Sequence, residues 1–432
     1  MRKITKSKDV DLIDYSNEYS DLVSFKSNLY HPKHRWYPFV EGFSTEFVRR
    51  ILGEQNYIPE NCLEPFGGIG TTALTCQDLG VKCTSVESNP FFYKTARAKL
   101  LDYSSLEFEK LLIEFETYLT SCTSAVVLPE LESKTFFESK EKNKWIFHKE
   151  VSNGIGDILG KIEAIKVTHS DYAVLFEIAL ANILLPVSNV FRNGKCLSYR
   201  RGWEERKFDR KEVHTRFIDV SKLILIDIRS KERQIKVVEN HSTYYNADSR
   251  NKLMDLDDES FDLIITSPPY LNSRDYTDVY RLELWILGYI DKFEKEKTLR
   301  KSAITSHVQI KLPETKYPDV DEINQFLEHL NGLNGRLWNN NIPRMISGYF
   351  NDMEGILSNL HNKLKSGGRA YINVSNSAYG GKVLNVDLIL SEIAQSLGFN
   401  TDEIRIARLL KSSSQQKITG PIRESVIILS KG

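Results

Sequence analysis

The stretch that most constrains the fold is Phe261–Tyr270, where a run of apolar and β-branched residues leads directly into Ser-Pro-Pro-Tyr. The first six residues have the composition of a buried parallel strand. The two prolines fix φ and remove two N–H donors, so the chain must leave the strand along an extended path. Open α/β sheets bind ligands at the carboxyl ends of their strands. There the Ser267 hydroxyl and the Pro268 carbonyl can both accept from one amino group, beside the flat ring of Tyr270. A strand that merely ends in a proline-rich turn is the alternative.

A second informative stretch is the glycine-rich segment Gly67–Gly70, between a short strand at Cys62–Leu63 and a helix at Thr71–Leu79. Glycines let the backbone approach a ligand closely, and the helix N-terminus offers free N–H groups. The next strand, Val81–Val86, is followed by Glu87, and an acid at that position can bind both hydroxyls of a ribose. These features predict a site for a nucleoside-containing cofactor.

The glycine segment leaves other interpretations open. Gly68-x-Gly70-x-x-Ala73 also satisfies the loose dinucleotide-binding fingerprint, so a nicotinamide oxidoreductase must be considered, as must a tight turn without a ligand. No hydride-transfer constellation is evident in the sequence.

Composition sets limits on location and partners. The chain has 432 residues, enough for one large domain with an insertion or for two or three domains. Its 58 basic and 58 acidic residues balance, so a nucleic-acid surface would have to be a local patch. The five cysteines are odd in number and form no C-x-x-C pair, which favours a reducing cytoplasm and no bound metal. No run approaches the length of a membrane span and the N-terminus lacks an apolar signal core, so we expect no membrane partner.

The alternation of strands and helices is interrupted once. Leu106–Leu119 and Asp171–Leu185 have apolar residues at helical spacing, which indicates a mostly helical insertion. We therefore divide the chain into three parts: 1–100, an N-terminal arm and the first part of an α/β core; 101–235, the insertion; and 236–432, the second part of the core, with charged loops at 289–345.

Several local elements can also be predicted. Residues 1–30 are polar with a few aromatics and suggest a loosely packed arm, and Ser44 is placed to cap a helix over Thr45–Leu52. Gln234–Val238 is a candidate strand, and Ile404–Leu410 would pair with Glu424–Ser430 as a closing antiparallel pair. The segment 411–420 between these last two strands is polar and reads as a mobile linker.

The insertion contains a basic and aromatic stretch, Arg192–Arg216, with nine Arg and Lys against four Asp and Glu. Tyr199, Trp203 and Phe208 are interleaved with the charges, and such a mixture suits a surface that follows phosphates and stacks on bases. A solvated charged loop is the alternative. The candidate DNA-binding residues are Arg192, Lys195, Arg200, Arg201, Arg206 and Lys207.

Together, Leu63–Thr72 and Thr266–Tyr270 resemble the two signature motifs of DNA amino-methyltransferases, the restriction–modification enzymes that methylate cytosine N4 or adenine N6 with S-adenosylmethionine (AdoMet). The resemblance covers most of residues 31–100 and 235–432. It implies an α/β fold with a Rossmann-like, seven-stranded, mainly parallel sheet, helices on both faces and an antiparallel final hairpin. It also implies double-stranded DNA as partner, with the possibility of a cognate restriction endonuclease that acts separately. The insertion 101–235 is then the candidate target-recognition region, and the loops at 289–345 are expected to face the DNA.

The resemblance assigns roles to particular residues. Glu87 would hold the ribose and Asp248 the adenine amino group, while the aromatic stretch that ends at Ser44 looks like the family's additional cofactor motif. The full cofactor set is Ser44, Glu64, Phe66, Gly67, Gly68, Gly70, Thr71, Glu87, Ser88 and Asp248, and the catalytic set is Ser267, Pro268, Pro269 and Tyr270. The sequence departs from the family pattern in two ways: Glu64 stands where Asp is common, and the insertion precedes Asp248.

The choice of target atom follows from chemistry and from the resemblance. Methylation at cytosine C5 needs a thiolate, usually a Cys after a proline, and no cysteine here follows a proline. In the family, Ser at the first motif position favours cytosine N4, whereas Asp or Asn favours adenine. We therefore expect a cytosine-N4 DNA methyltransferase. Adenine N6, an exocyclic amine of RNA and a non-catalytic nucleic-acid-binding module remain alternatives. The three methyltransferase hypotheses, for cytosine N4, adenine N6 and RNA, require Ser267 and Gly67 to lie side by side at one rim of one sheet.

Overall fold

The computed structural model describes residues 10–122, 128–193, 196–232, 242–272, 274–310, 312–333, 335–410, 418 and 421–432. The candidate strand Gln234–Val238, almost all of the linker 411–420 and the candidate DNA-binding residue Lys195 lie outside these residues.

The core of the molecule is an eight-stranded sheet in the order β1-β11-β12-β8-β7-β2-β3-β6. Within the described ranges, five of its seven strand pairings are parallel, and only β12 runs antiparallel to both of its neighbours. Two separate hairpins, β4-β5 and β9-β10, lie outside this sheet. The strands are β1 (Leu12–Asp14), β2 (Asn61–Glu64), β3 (Lys82–Glu87), β4 (Val190–Arg192), β5 (Leu197–Tyr199), β6 (Thr243–Asn246), β7 (Phe261–Thr266), β8 (Leu364–Ser375), β9 (Ser377–Tyr379), β10 (Lys382–Leu384), β11 (Phe399–Leu410) and β12 (Ile422–Lys431).

The eighth strand corrects the expected number of seven. β1 comes from the N-terminal segment and pairs in parallel with β11, Leu12 opposite Ile404. The prediction of a loosely packed arm is wrong for the described part of that segment. Tyr19 is fully buried, Arg405 on β11 donates to its hydroxyl, and Phe25 packs edge-on against Phe39. Tyr19 and Phe25 of the arm are therefore part of the core, whereas Tyr30 is 83% exposed.

Helices pack on both faces of the sheet, as the side-chain alternation of the strands requires. Leu63 and Ile264 face the cluster that contains α14 and α15, whereas Cys62, Leu263 and Ile265 face the cluster that contains α2 and α3. The α-helices are α1 (Ser16–Tyr19), α2 (Thr45–Gly53), α3 (Thr71–Asp78), α4 (Pro90–Leu100), α5 (Ser105–Ser121), α6 (Lys149–Thr168), α7 (Ser170–Val187), α8 (Arg210–Glu232), α9 (Ser249–Lys252), α10 (Tyr276–Val279), α11 (Arg281–Ile286), α12 (Phe293–Lys301), α13 (Asp321–Asn331), α14 (Ile342–Lys363) and α15 (Val386–Ser396), with short 3-10 helices at Phe25–Tyr30, His34–Trp36, Trp203–Glu205 and Leu253–Asp255.

The insertion is helical, as predicted, and its helices α5–α8 share one apolar cluster with Phe91, Phe92 and α11. Helix α7 is long and apolar enough to cross a membrane by length and composition, contrary to our expectation that no run has that length. However, 61% of it is buried within the protein, where it packs against α4, α6, α8 and α11. Its apolar surface is thus accounted for by core packing.

One buried carboxylate fixes the loop that leads into the site. Asp227 on α8 accepts hydrogen bonds from the backbone N–H of Lys33 (3.0 Å) and the indole N–H of Trp36 (3.0 Å), and it pairs with Arg35 at 2.5 Å. A buried carboxylate is tolerated when its oxygens are satisfied in this way. Through Asp227, the insertion positions the chain immediately before Phe39.

Three of the cysteines meet beneath the sheet. The Sγ atoms of Cys62, Cys76 and Cys83 all lie within 4.8 Å of one another, in the apolar cluster between the sheet and α3. Three thiols at this spacing are able to hold a soft metal ion. The expectation of no bound metal therefore stays a prediction.

Candidate active site

The loops that follow β2, β3, β6 and β7 surround one cavity of about 370 Å³. Gly67 and Ser267 both line it, so the two informative stretches meet at one rim of the sheet as expected. Twelve of the fourteen predicted cofactor and catalytic residues line the cavity, namely Glu64, Phe66, Gly67, Gly68, Thr71, Glu87, Ser88, Asp248, Ser267, Pro268, Pro269 and Tyr270.

The glycine segment needs its glycines for conformation and for space. Gly68 and Gly70 have φ values of 54° and 86°, in the left-handed region that glycine adopts without strain. A Cβ on Gly67 would collide with the hydroxyl of Tyr244, and one on Gly70 would come within 2.9 Å of Ala96 Cβ. Gly70 therefore does not line the cavity but lets helix α3 begin close against α4.

Glu64 ties the two stretches together. Its buried carboxyl accepts from the Phe66 N–H (3.1 Å), from the Thr72 hydroxyl (2.9 Å) and from the Thr266 hydroxyl (2.5 Å). Burial raises the pKa of Glu64 to about 8 despite these donors. The residue thus connects the glycine segment to the last residue of β7, directly before Ser267.

Glu87 stands at the carboxyl end of β3 and faces the cavity. Its carboxyl accepts from the backbone N–H groups of Gly68 (2.9 Å) and Asn89 (2.7 Å). Removal from bulk water raises its pKa to about 7. Each oxygen uses one acceptor position for these bonds, and a carboxylate oxygen has a second one for a ligand hydroxyl.

The third acid, Asp248, is held by an arginine. Arg250 donates to both of its oxygens, with Nη2–Oδ2 at 2.6 Å, and the Asp248 carboxyl also caps helix α9. The adjacent Ser249 hydroxyl donates to the carbonyl of Pro65, which fixes the end of β6 against the glycine segment.

The Ser-Pro-Pro-Tyr loop lies over residues that the sequence analysis missed. Ser267 Oγ donates to the Tyr270 hydroxyl at 3.4 Å, and Tyr270 donates to Glu424 at 2.7 Å. Asn373 and Arg408 complete this side of the cavity. These three polar residues come from β8, β11 and β12. Nothing in their local sequence marks them, and only the predicted antiparallel closing pair could have pointed to them.

Comparison with known proteins identifies relatives over nearly the full length of the chain. No family model matches the chain. The type II methyltransferase M.AvaI of Nostoc sp. is 28% identical over 428 residues, covering 92% of this chain and 85% of the relative. The type II methyltransferase M.BsoBI of Geobacillus stearothermophilus is 28% identical over 466 residues, covering 95% of this chain and 88% of the relative. The chain is a homologue of the type II methyltransferases of restriction–modification systems. The alignment includes the insertion, so these relatives resemble the whole chain and not the sheet alone.

In this methyltransferase homologue, Ser44 does not line the cavity, which corrects its assignment to the cofactor site. Its side chain is fully buried and accepts from the Phe47 N–H at 3.1 Å, so Ser44 caps α2. This confirms the prediction that Ser44 caps a helix. The aromatic stretch His31–Ser44 still reaches the site through Phe39, Val40, Glu41, Gly42 and Phe43, and Val23 and Ser24 of the N-terminal arm also line the cavity. In the sequence, the high density of aromatic residues in this stretch was the feature that could have pointed to these positions.

The basic stretch of the homologue is less open than predicted. The Arg192 guanidinium is largely buried and donates to Glu283 (2.9 Å), to the Tyr37 hydroxyl (3.0 Å) and to the Val279 carbonyl (3.1 Å). Arg192 therefore joins the hairpin β4-β5 to the core beside the Ser-Pro-Pro-Tyr loop, and we correct its assignment to a DNA surface. Trp203 is only 5% exposed and stacks on His148, so it is also a packing residue.

The other candidates in this stretch divide into two groups. Arg200 donates to the Val190 carbonyl at 3.0 Å, and Arg206 donates to the Pro186 carbonyl at 2.6 Å, so both also stabilise the insertion. Arg201 and Lys207 are exposed. Both residues remain candidates for contact with nucleic acid.

Proposed function

We propose that the chain is a site-specific DNA methyltransferase that transfers the methyl group of AdoMet to the exocyclic N4 amine of a flipped cytosine. It would act in the cytoplasm as the modification enzyme of a restriction system, and a cognate endonuclease would act separately. The observation that carries the proposal is the shared cavity between the glycine segment and the Ser-Pro-Pro-Tyr loop. Homology to type II methyltransferases supports the same reaction class.

The residues on one side of the cavity fit AdoMet. The backbone of Gly67 and Gly68 lines the cavity without side chains, so a ligand can approach it closely, and Phe39 and Phe92 provide flat apolar walls. Glu87 retains acceptor positions for two ribose hydroxyls, and we assign the adenine amino group to Asp248, which also lines the cavity. When bound, AdoMet supplies an electrophilic methyl group. The roles of Glu87 and Asp248 depend on acceptors fixed in place before the ligand arrives.

On the other side of the cavity, the protein must make a poor nucleophile reactive. The lone pair of an aromatic amine is delocalised into the ring, so the nitrogen must be held in a geometry that turns the lone pair towards the methyl group. The Ser267 hydroxyl and the Pro268 carbonyl would accept its two N–H bonds and favour a pyramidal nitrogen. No covalent nucleophile is needed for this step, in which the nitrogen would gain the methyl group, S-adenosylhomocysteine would leave as the product, and one amine proton would pass to solvent.

The target base must leave the duplex before it can reach this pocket. Enzymes that act on a base inside a duplex flip it into the active site, where a side chain stacks on it. We assign that stacking role to the ring of Tyr270. The exposed Arg201 and Lys207, together with the loops at 289–345, would contact the surrounding DNA backbone.

Adenine N6 presents the same chemical problem as cytosine N4, so the test must read the product directly. Purified protein is incubated with labelled AdoMet and either duplex DNA of mixed sequence or structured RNA, and the nucleosides are separated after digestion. We expect label in N4-methylcytosine from duplex DNA. Label in N6-methyladenine would replace the cytosine assignment, and label in RNA alone would contradict the DNA assignment.

A further inference from the structure

We propose that Tyr270, Glu424 and Arg408 form an orienting chain that turns the Ser267 hydroxyl into an acceptor for the target amine. This inference rests on the proposed function and names three positioning residues for it. Two of them, Glu424 and Arg408, lie outside both sequence motifs.

The chain is continuous in the structure. Arg408 Nε donates to Glu424 Oε2 at 2.6 Å, the Tyr270 hydroxyl donates to Glu424 Oε1 at 2.7 Å, and Ser267 Oγ lies 3.4 Å from the Tyr270 hydroxyl. All four residues line the cavity. Asn373 Nδ2 donates to the Tyr270 oxygen at 2.8 Å from the neighbouring strand β8.

The direction of these bonds is set at the charged end. An ionised carboxylate only accepts hydrogen bonds, and the guanidinium of Arg408 only donates. Glu424, paired with Arg408, must therefore accept a hydrogen bond from the Tyr270 hydroxyl. Burial raises the pKa of Tyr270 well above its ordinary value, so the hydroxyl keeps its proton and remains the donor. The Tyr270 oxygen then accepts from Asn373 and has one acceptor position left, which faces Ser267.

The consequence for Ser267 is a fixed hydroxyl direction. Its proton points to Tyr270, and its lone pairs are left for the cavity. An aromatic amine presents N–H donors and no free lone pair, so a serine proton turned into the cavity would oppose it. The chain excludes that orientation before the base arrives, which is the form of preorganisation that contributes most to catalysis.

The fold explains why these residues can act on the loop. Arg408 and Glu424 are direct partners across the antiparallel pair β11-β12, and Glu424 is opposite Ser375 on β8. The pairing of β11 with the antiparallel strand β12 therefore places a charged pair next to the loop that follows β7. The closing hairpin would serve the chemistry as well as the sheet.

The test is a double-mutant cycle measured as single-turnover methyl transfer to a duplex, with enzyme in excess. Tyr270→Phe removes one oxygen and keeps the ring, and we expect it to lower the rate about 10- to 100-fold while AdoMet and DNA affinities change little. In a Ser267→Ala background the same substitution should cost less than about 3-fold, because there is no hydroxyl left to orient. An equal cost in both backgrounds would overturn the proposal.

A second cycle does not depend on the residual activity of the serine variant. Glu424→Gln and Tyr270→Phe break adjacent links of one chain, so the double variant should be no slower than the slower single variant. Multiplicative losses would show two independent effects and would contradict the chain. Glu403→Gln is the matched control, since Glu403 also lies on the closing hairpin, where it pairs with Arg405 at 2.6 Å, and does not line the cavity. A wild-type protein without cytosine-N4 activity would instead refute the proposed function.

Discussion

The two sides of the cavity are built in different ways. The side assigned to the cofactor comes mostly from residues 64–89, where Glu64 and Glu87 each accept from a backbone N–H two residues along the chain and Glu87 also accepts from Gly68, 19 positions away. The side assigned to the target base is assembled from distant segments, and Tyr270 reaches its partner Glu424 across 154 positions. Local sequence can encode the first kind of site, whereas the second exists only after the sheet has formed.

The largest expected effect is a loss of turnover when the target-base side of the cavity is altered and the cofactor side is left intact. Ser267→Ala should lower kcat about 10²- to 10³-fold because it removes one preorganised acceptor of the target amine. AdoMet affinity, measured by calorimetry, should stay nearly unchanged because the serine belongs to the other side. Ser260→Ala, just before the opposite end of the same strand, is the matched control and should keep full activity. Full activity of Ser267→Ala would refute the assigned role.

The reciprocal change acts on binding. Glu87→Ala should weaken AdoMet about 10- to 100-fold, because it removes the carboxylate that accepts the ribose hydroxyls and the loss of one hydrogen bond to a charged group costs about 1.5–3 kcal/mol. The dissociation constants for AdoMet and for duplex DNA are compared for this variant and for Glu403→Ala. Equal losses of both affinities would contradict the ribose assignment and the separation of the two sides.

The pH dependence sharpens the description of the cofactor side. Glu87 must be ionised to accept both hydroxyls, and its pKa in the folded protein is about 7, so AdoMet affinity should fall by up to about tenfold per pH unit below pH 7. Affinity measured between pH 5.5 and 8.5 tests this expectation. Glu87→Gln should bind more weakly at pH 8 but should flatten the profile, and an unchanged profile would assign the titration to another group.

Glu64 and Glu87 should also make the stability of the cofactor-free protein depend on pH. Stability should fall as the pH rises, whereas AdoMet affinity should increase. Glu64 and Glu87 have folded pKa values of about 8 and 7, above their ordinary value of 4.5, so the folded state holds their protons more tightly than the unfolded state. Their contribution to stability is complete below about pH 4.5 and is lost as the pH rises through 7 and 8. Chemical denaturation of Glu64→Gln against wild type should show a smaller loss between pH 6 and pH 8.5. An identical loss in both proteins would contradict the raised pKa of Glu64.

The smallest expected effect concerns the close packing of the glycine segment. Gly67→Ala should destabilise the protein by about 1–3 kcal/mol, because the new methyl group meets the Tyr244 hydroxyl. Tyr244→Phe removes that hydroxyl, so the double variant should recover part of the loss. Thermal melts of the four proteins measure the coupling. Additive losses would show that the strain at Gly67 has another source.

The elements predicted best were those with local patterns. The helical insertion, helix α2 with its Ser44 cap, the closing antiparallel pair and the glycine turn all follow from periodicity, caps and turn residues. The eighth strand was missed because β1 is three residues long and depends on pairing with β11, more than 390 positions away (Leu12 with Ile404). Arg192 and Trp203 were misassigned because a basic, aromatic sequence does not reveal which side chains the core will bury.

What the sequence alone determined is the chemistry at the ends of the strands, because backbone geometry there depends on the residues themselves: glycine where φ is positive, proline where donors must be absent, and an acid at the carboxyl end of a strand. What only the tertiary structure decided is which distant residues lie next to Ser267. Nothing in the local sequence marks Glu424 and Arg408. They become important because the pairing of β11 with the antiparallel strand β12 places them next to the loop that follows β7.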